Sequence, residues 1–371
     1  MILHLLTDEK VCPRVIRLFE ECNAHDNIFV VFKSKKEEWK FISKAENVLS
    51  CHSQEVKCID WNRIDKVIVH YLDLAKIKFV LVHPLKGKTV IWMMWGADIY
   101  NDYLHRLGFP LYSPENSCQQ IGRSNHLPLK YLRMLKFSVL SPYYFCLRKW
   151  FMENRVNYVV ACDVEMELVK KYVRFKRLKS NLQFSYYSIE DVLGNLKSCR
   201  ADGNKIIIGN SCSFSNNHEY VLERIKHLDL SSYEIVVPLN YGVNVEYKSI
   251  VSFKYRATLD NVTILDKFLP LDEYNRLMIQ TCMYIYGNFR QEAWGNILIG
   301  LYLGGKVYLP KQNPLWEQCV QYGFTVYVLE DIQSTFKNKL SDNDKERNRM
   351  TALSLFSAEK NREYIQKICN L

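Results

Sequence analysis

Short runs of consecutive apolar residues alternate, along the first half of the chain, with stretches whose apolar positions recur every three or four residues. The runs at 2–6, 28–32, 66–70, 79–83, 89–93 and 158–161 predict strands, and the periodic stretches at 13–22 and 164–173 predict helices. Strands without polar alternation are buried on both faces, so helices between them imply a parallel sheet with right-handed crossovers. The alternation lapses at 188–204, a polar stretch with Gly194 and Gly203 that reads as an interdomain linker. It then resumes with strands at 206–208, 235–239, 262–265, 283–286, 306–309 and 325–328, and helices at 218–228, 272–281, 293–303 and 314–322. Gly304-Gly305 is a helix stop before the next strand. The prediction is an α/β chain of two Rossmann-like domains, 1–187 and 204–350, facing each other across a cleft. A C-terminal helix at 351–371 packs back on the first domain.

Composition agrees with this outline and narrows it. A chain of 371 residues suits two domains, and 48% hydrophobic with 24% charged residues excludes a disordered or fibrous chain. The formal net charge of +10 is concentrated. Residues 123–179 hold 13 Lys/Arg against 4 Asp/Glu, a net of +9 that leaves +1 for all the rest. Within 123–155 the cations interleave with large apolar side chains. That pattern suits the interface of an anionic bilayer, and equally a core helix with a solvated basic face. Lys130, Arg133, Lys136, Arg148, Lys149 and Trp150 are the candidate docking residues. No nucleic-acid-binding motif accompanies them, which argues against a nucleic-acid partner. The apolar runs are too short to span a bilayer, and residues 1–6 read as a buried strand rather than a signal peptide. The 12 cysteines are scattered with no C-x-x-C spacing, so they read as free thiols and not as disulfides or a zinc site.

Several common motifs fail. No G-x-G-x-x-G follows the first strand, so NAD or FAD binding is not expected. Gly87-Lys88-Thr89 lacks the upstream glycine of a P-loop, and Asp342-Asn343-Asp344 reads as a solvated loop. Three segments carry chemistry instead. In Ile206-Ile207-Ile208-Gly209-Asn210-Ser211 a strand runs into a small-polar loop and then a helix at His218, an arrangement whose backbone N–H groups suit a diphosphate or simply a capped turn. In Tyr286-Gly287-Asn288-Phe289-Arg290-Gln291 another strand ends beside a helix start, with Arg290 either solvated or aimed at phosphate oxygens. In Trp92-Met93-Met94-Trp95-Gly96-Ala97-Asp98 an acid follows a strand end, as a general base or a helix cap.

Together these segments resemble the TDP-N-acetylfucosamine:lipid II N-acetylfucosaminyltransferases of glycosyltransferase family 56. Residues 92–100 are similar to the family's W-x-x-W-G-A-D-x-Y, and 208–218 to its V-G-N-S…S-N-x-H loop. Residues 236–242 resemble V-V-P-x-x-Y; Arg290-Gln291 with Gly295 matches R-Q-x-x-x-G; Asn313-Pro314-Leu315-Trp316 matches N-P-F-W. The chain departs from the pattern at Cys212-Ser213-Phe214, Glu292-Ala293-Trp294 and Asn296, positions the resemblance sets near the donor sugar.

The resemblance implies a GT-B fold and an inverting, metal-independent hexosyltransferase without a cofactor. Its substrates would be a TDP- or UDP-linked, deoxy or acetamido sugar and a polyprenyl-diphosphate-linked glycan. The product would serve bacterial surface polysaccharide, of the enterobacterial common antigen or capsule kind, at the cytoplasmic face of the inner membrane. Asn210, Ser211 and Arg290 would stabilise the departing diphosphate, with Asn217 and His218 supporting that loop. Tyr241 would touch base or ribose, and Gln291, Gly295 and Asn296 would line the sugar. Asp98 is the first candidate for the catalytic base and Asp8 the second. The same fold serves other chemistries. A sugar-nucleotide epimerase or hydrolase and a non-catalytic membrane-surface binder are therefore the alternatives.

Overall fold

Both halves of the chain build parallel sheets. The computed structural model describes residues 1–34, 38–117, 129–242 and 244–371, with backbone alone at 102 and 129–140. It divides into two units. One comprises Met1–Gly108, Leu129–Tyr186 and Glu359–Leu371; the other comprises Tyr187–Ala358 together with residues 109–117.

The first unit contains β1 (Ile2–Thr7), β2 (Asn27–Phe32), β3 (Val48–Ser50), β4 (Lys66–His70), β5 (Thr89–Met93), β6 (Tyr158–Val160) and β7 (Ser180–Leu182). They form one sheet in the order β3-β2-β1-β4-β5-β6-β7, every pair parallel. The second unit contains β8 (Lys205–Ile208), β9 (Glu234–Pro238), β10 (Val262–Leu265), β11 (Thr281–Ile285), β12 (Lys306–Leu309) and β13 (Tyr327–Val328). Their order is β10-β9-β8-β11-β12-β13, again all parallel. In each sheet the chain starts at a central strand, builds outward to one side, and then crosses to the other. That crossing leaves a crevice at the carboxyl ends of β1 and β4, and of β8 and β11, where such sheets bind ligands.

The strands are apolar throughout because both faces are covered. In the second unit Ile206, Ile208, Val237 and Ile285 pack with Val221, Leu222 and Ile225 of helix His218–Ile225. The alternate positions Ile207, Val236 and Tyr284 pack with Ile297, Leu298 and Leu301 of helix Trp294–Leu303 on the other face.

Several elements differ from the sequence expectation. The apolar run at 79–83 is not a strand; it ends helix Leu74–Val82, which Asp73 caps by accepting from the Lys76 N–H at 2.9 Å. A run of that length carries no periodicity to separate strand from helix, and the cap upstream decides it. The polar stretch at 188–204 is not an open linker. Ser188 caps helix Ile189–Leu193, whose Ile189 and Leu193 are buried in the second unit's core. Residues 109–117 lie with the second unit, although the expected first domain ran to 187. Ser113 N–H donates to Asn217 Oδ1 at 3.0 Å, and Asn116 Nδ2 to the Phe214 carbonyl at 2.6 Å. The C-terminal stretch is two helices, Asp342–Phe356 and Ala358–Cys369. Asp342-Asn343-Asp344 is the first turn of the former, capped by Ser341, and not a loop. On the latter, Asn361 exchanges two hydrogen bonds with the Ser185 backbone, and Ile365 and Ile368 are buried with Ile2, Val15 and Leu18. The short edge strands β3 and β7 and helix Val245–Thr258 had no counterpart in the sequence reading.

Candidate functional site

The crevice at the ends of β8 and β11 gathers the polar residues of two family-like segments. The chain leaves β8 through Gly209, at φ +72°, where a Cβ would stand 2.8 Å from Asn216 Oδ1 and 2.9 Å from His218 Nε2. Glycine at 209 therefore lets Asn216 close the loop: its Oδ1 accepts from Asn210 N–H and its Nδ2 donates to Ser211 Oγ, both at 2.9 Å. After β11, Gly287 serves the same end, since a Cβ there would lie 2.5 Å from the Asn216 carbonyl oxygen. Asn217, in the left-handed region at φ 47°, reaches back from this loop to donate to the Gly287 carbonyl at 3.0 Å. The two loops are thus one structure.

Arg290 and Glu292 sit in its middle. Arg290 Nη2 lies 2.9 Å from Glu292 Oε2, and Nη1 donates to the Gln291 carbonyl. Glu292 Oε2 also accepts from Ser215 Oγ at 2.6 Å and Asn288 Nδ2 at 2.8 Å. Asn288 is itself held by its carbonyl, which accepts from Asn313 Nδ2 at 2.8 Å. The ion pair is nearly buried, with side chains 7% and 13% exposed, and such a pair persists where further donors and acceptors satisfy it.

Not every polar atom here is satisfied. Asn210 Oδ1, His218 Nε2, Tyr286 Oη, Asn288 Oδ1 and Arg290 Nε are buried without a hydrogen-bond partner. A buried polar group of this kind calls for a partner such as a ligand, an ion or an ordered water. Beside them starts helix Trp294–Leu303. Its N-cap, Ala293, supplies no side-chain hydrogen bond to the first turn, and N–H groups at such a helix start suit an anion.

Other residues picked from sequence have different roles. His218 is fully buried, its Nδ1 3.1 Å from Tyr247 Oη, and burial pushes its pKa down to about 3, so it is a neutral structural group. Asn217 is equally buried and ties loops together. Asn296 Nδ2 donates to Tyr274 Oη at 3.0 Å, and Gly295 faces the Tyr187 ring. Tyr241 is half-exposed on the loop after β9, and its carbonyl accepts from Cys212 N–H at 2.6 Å. Gln291 is partly exposed beside Arg290. Sequence reasoning missed Glu292, Asn288 and Asn313 as site residues, although all three lay inside the quoted segments.

In the first unit, Asp98 does not stand open as a base. It is fully buried; Oδ2 accepts from Leu72 N–H and Trp92 Nε1, both at 2.8 Å, and Oδ1 from Trp95 N–H at 3.0 Å. Burial raises its pKa against the opposing pull of these donors and of Arg148. Asp98 thus fastens the loop after β4 to the end of β5, which explains an acid six positions after Trp92. Asp8 accepts from the N–H groups of Lys40, Phe41 and Ile42, and so closes a loop.

The basic stretch forms helix Leu129–Arg155, with Pro142 inside it. The side chains of Lys130, Arg133 and Lys136 lie outside the described residues. Arg148 turns inward, Nη1 donating to the Asp98 carbonyl at 2.9 Å, and so is not a docking residue. Lys149 is exposed, Trp150 is 45% exposed and Tyr143 58%. Among the described residues no helix is long and apolar enough to cross a membrane.

Comparison with known proteins decides the family. The profile of the 4-alpha-L-fucosyltransferases, glycosyl transferase group 56, matches residues 133–367, more than half of the chain. The chain belongs to that family. It is a glycosyltransferase. Among solved structures it is similar to sucrose-phosphate synthase from Thermosynechococcus elongatus, with a TM-score of 0.70, 10% identity, and 100% of this chain and 98% of that one covered. It is also similar to Anabaena Alr3699/HepE in complex with UDP and glucose, with a TM-score of 0.60, 10% identity and 100% of both chains covered. A third is WaaG, a glycosyltransferase involved in lipopolysaccharide biosynthesis, at 0.58, 10% identity, and 100% and 99% covered. These likenesses establish the fold. The group 56 chain has the GT-B fold, built from two parallel-sheet α/β units.

Proposed function

We propose that the protein transfers a deoxy or acetamido sugar from a TDP- or UDP-linked donor to a polyprenyl-diphosphate-linked glycan, with inversion and without a metal, in bacterial surface polysaccharide synthesis. One observation carries the donor side of this reading. The buried Arg290 Nε has no partner, and it lies in the loop that leads to an uncapped helix N-terminus at the crevice of the second sheet. A guanidinium and helix N–H groups together suit the charge that grows on a departing diphosphate. Those groups supply the stabilisation a divalent cation gives elsewhere, which is the basis for metal independence. Asn210 and Ser211 line the same crevice. Tyr241, half-exposed after β9, suits the base or ribose, and Gln291 the sugar. Asn217, His218, Gly295 and Asn296 support this loop structure from behind.

The acceptor belongs to the first unit in this reading. The helix Leu129–Arg155 meets the cytoplasmic face of the membrane through Lys149, Trp150 and Tyr143, joined by Lys130, Arg133 and Lys136. Apolar bodies with a lysine rim favour an anionic interface.

Purified protein incubated with a panel of TDP- and UDP-sugars and lipid-linked saccharides, with mass spectrometry of products, tests this. A glycan extended by one sugar, formed equally with and without EDTA, is the expected result. Free sugar or an epimer released without acceptor would replace transfer by hydrolysis or epimerisation.

A further inference from the structure

We propose that Asp73 is the catalytic base that takes the proton of the acceptor hydroxyl. This rests on the reading above, in which the first unit holds the acceptor. In the first sheet the ligand crevice opens at the ends of β1 and β4. Four carboxylates stand at the carboxyl ends of its central strands; one of them, Glu9, is next to Asp8 after β1 and beside the exposed Lys10. Asp98, after β5, is fully buried, and Asp8, after β1, is engaged by three backbone N–H groups. Asp73 follows β4 and keeps 30% of its side chain exposed.

Its geometry is fixed from below by Lys76. Lys76 is fully buried, and its Nζ lies 2.5 Å from Asp73 Oδ2. The same ammonium donates to Thr7 Oγ1, at the end of β1, at 2.8 Å, and to the Tyr71 carbonyl, after β4, at 3.1 Å. It also lies over the rings of Phe32 and Tyr71, at 5.6 and 5.5 Å. Lys76 therefore joins the two strand ends that border the crevice and presents one carboxylate between them. Tyr71 adopts φ +63°, a strained conformation for a bulky residue, of the kind that persists where surroundings impose it. Asp98 contributes at one remove, since it holds Leu72 N–H and so positions the loop that carries Asp73.

Lys76 supplies the counter-charge of the Asp73 carboxylate from the buried side. Burial lowers the Lys76 pKa while Asp73, Asp98 and Cys12 raise it, and Lys76 in turn helps to lower that of the buried His70. In the step itself the acceptor oxygen forms a bond to the anomeric carbon. The bond from that carbon to the leaving diphosphate oxygen breaks, and its electron pair stays on the diphosphate. The hydroxyl proton passes to Asp73, whose exposed side then returns it to solvent.

Asp73 also caps helix Leu74–Val82, so the test must separate the two roles. D73N does so, because asparagine caps a helix as well as aspartate. Sugar transfer by D73N should fall by about 100- to 10,000-fold, the usual range for a lost general base. Its acid limb in the pH profile of kcat/KM should disappear and its calorimetric affinity for UDP and TDP should stay at the wild-type values; its thermal midpoint should fall, because the buried Lys76 loses its counter-charge, and the double variant D73N/K76M should recover the midpoint without recovering transfer. Transfer within threefold of wild type, with the acid limb kept, would overturn the assignment alone. Wild-type protein that consumes donor without acceptor would overturn the transferase reading and this assignment with it.

Discussion

Arg290 and Glu292 stand two positions apart and form an ion pair held by Ser215, Asn288 and the Gln291 carbonyl. Glu292 is one of the places where the chain departs from its family pattern, and the structure gives the departure a role: its Oε2 collects Arg290, Ser215 and Asn288 into one network. Arg290 is the cation that the proposed function assigns to the diphosphate. R290A should lower kcat by about 100-fold or more, as loss of one strong transition-state donor does. Steady-state rates with saturating donor check this, and near-normal turnover removes Arg290 from the mechanism. Asp98 illustrates the opposite case. Its residue type and strand-end position fit a base, but three internal donors and complete burial make it a fastener.

At the scale of elements, the two strand–loop–helix connections of the second unit depend on close backbone approach. G287A would press a methyl group against the Asn216 carbonyl, 2.5 Å from the ideal Cβ position, and against a Val221 methyl at 2.8 Å. Neither backbone nor packed side chain gives way cheaply, so the variant should lose about 1–3 kcal/mol, the typical cost of overpacking. Urea unfolding measures it, and an unchanged midpoint would show the loops free to shift. The basic helix is the other element with a consequence. Arg148 is engaged inside the first unit, and Lys149 is exposed. Charge reversal at Lys130, Arg133 and Lys149 together should abolish sedimentation with vesicles containing phosphatidylserine. Unchanged sedimentation would sink the docking proposal while leaving the fold assignment intact.

For the whole molecule, three buried histidines set a stability limit at low pH. His4 lies with its Nδ1 3.3 Å from His70 Nε2 in the first unit's core, and His218 is buried in the second. Burial depresses all three, to about 3 for His4 and His218 and well below the ordinary value for His70. A histidine depressed on folding takes up its proton only in the unfolded chain between about pH 6.5 and its folded value. The stability it contributes is complete above about pH 6.5 and is lost as pH falls, at about 1.4 kcal/mol per pH unit for each group. Urea midpoints should therefore be flat from pH 7 to 8 and drop steeply below pH 6. A midpoint that holds to pH 4.5 would contradict burial of these rings.

How far the sequence reached follows from the range of each interaction. Apolar runs and periodicity determined both parallel sheets, most helices and the strand ends that carry Asn210, Ser211 and Arg290, because burial on both faces and helix capping are written in neighbouring residues. The run at 79–83 was ambiguous on the same ground, since a short apolar stretch satisfies either geometry until its upstream cap is recognised. What only the tertiary structure decided involves partners far apart in the chain. Thr7, Tyr71 and Lys76 meet across 69 positions to present Asp73. Asn361 brings the last helix to Ser185 across 176. Asp98 was a candidate base from sequence and Asp73 was not. Burial and hydrogen bonding, which exist only after the sheet has formed, make the first a structural tie and leave the second at the surface of the crevice.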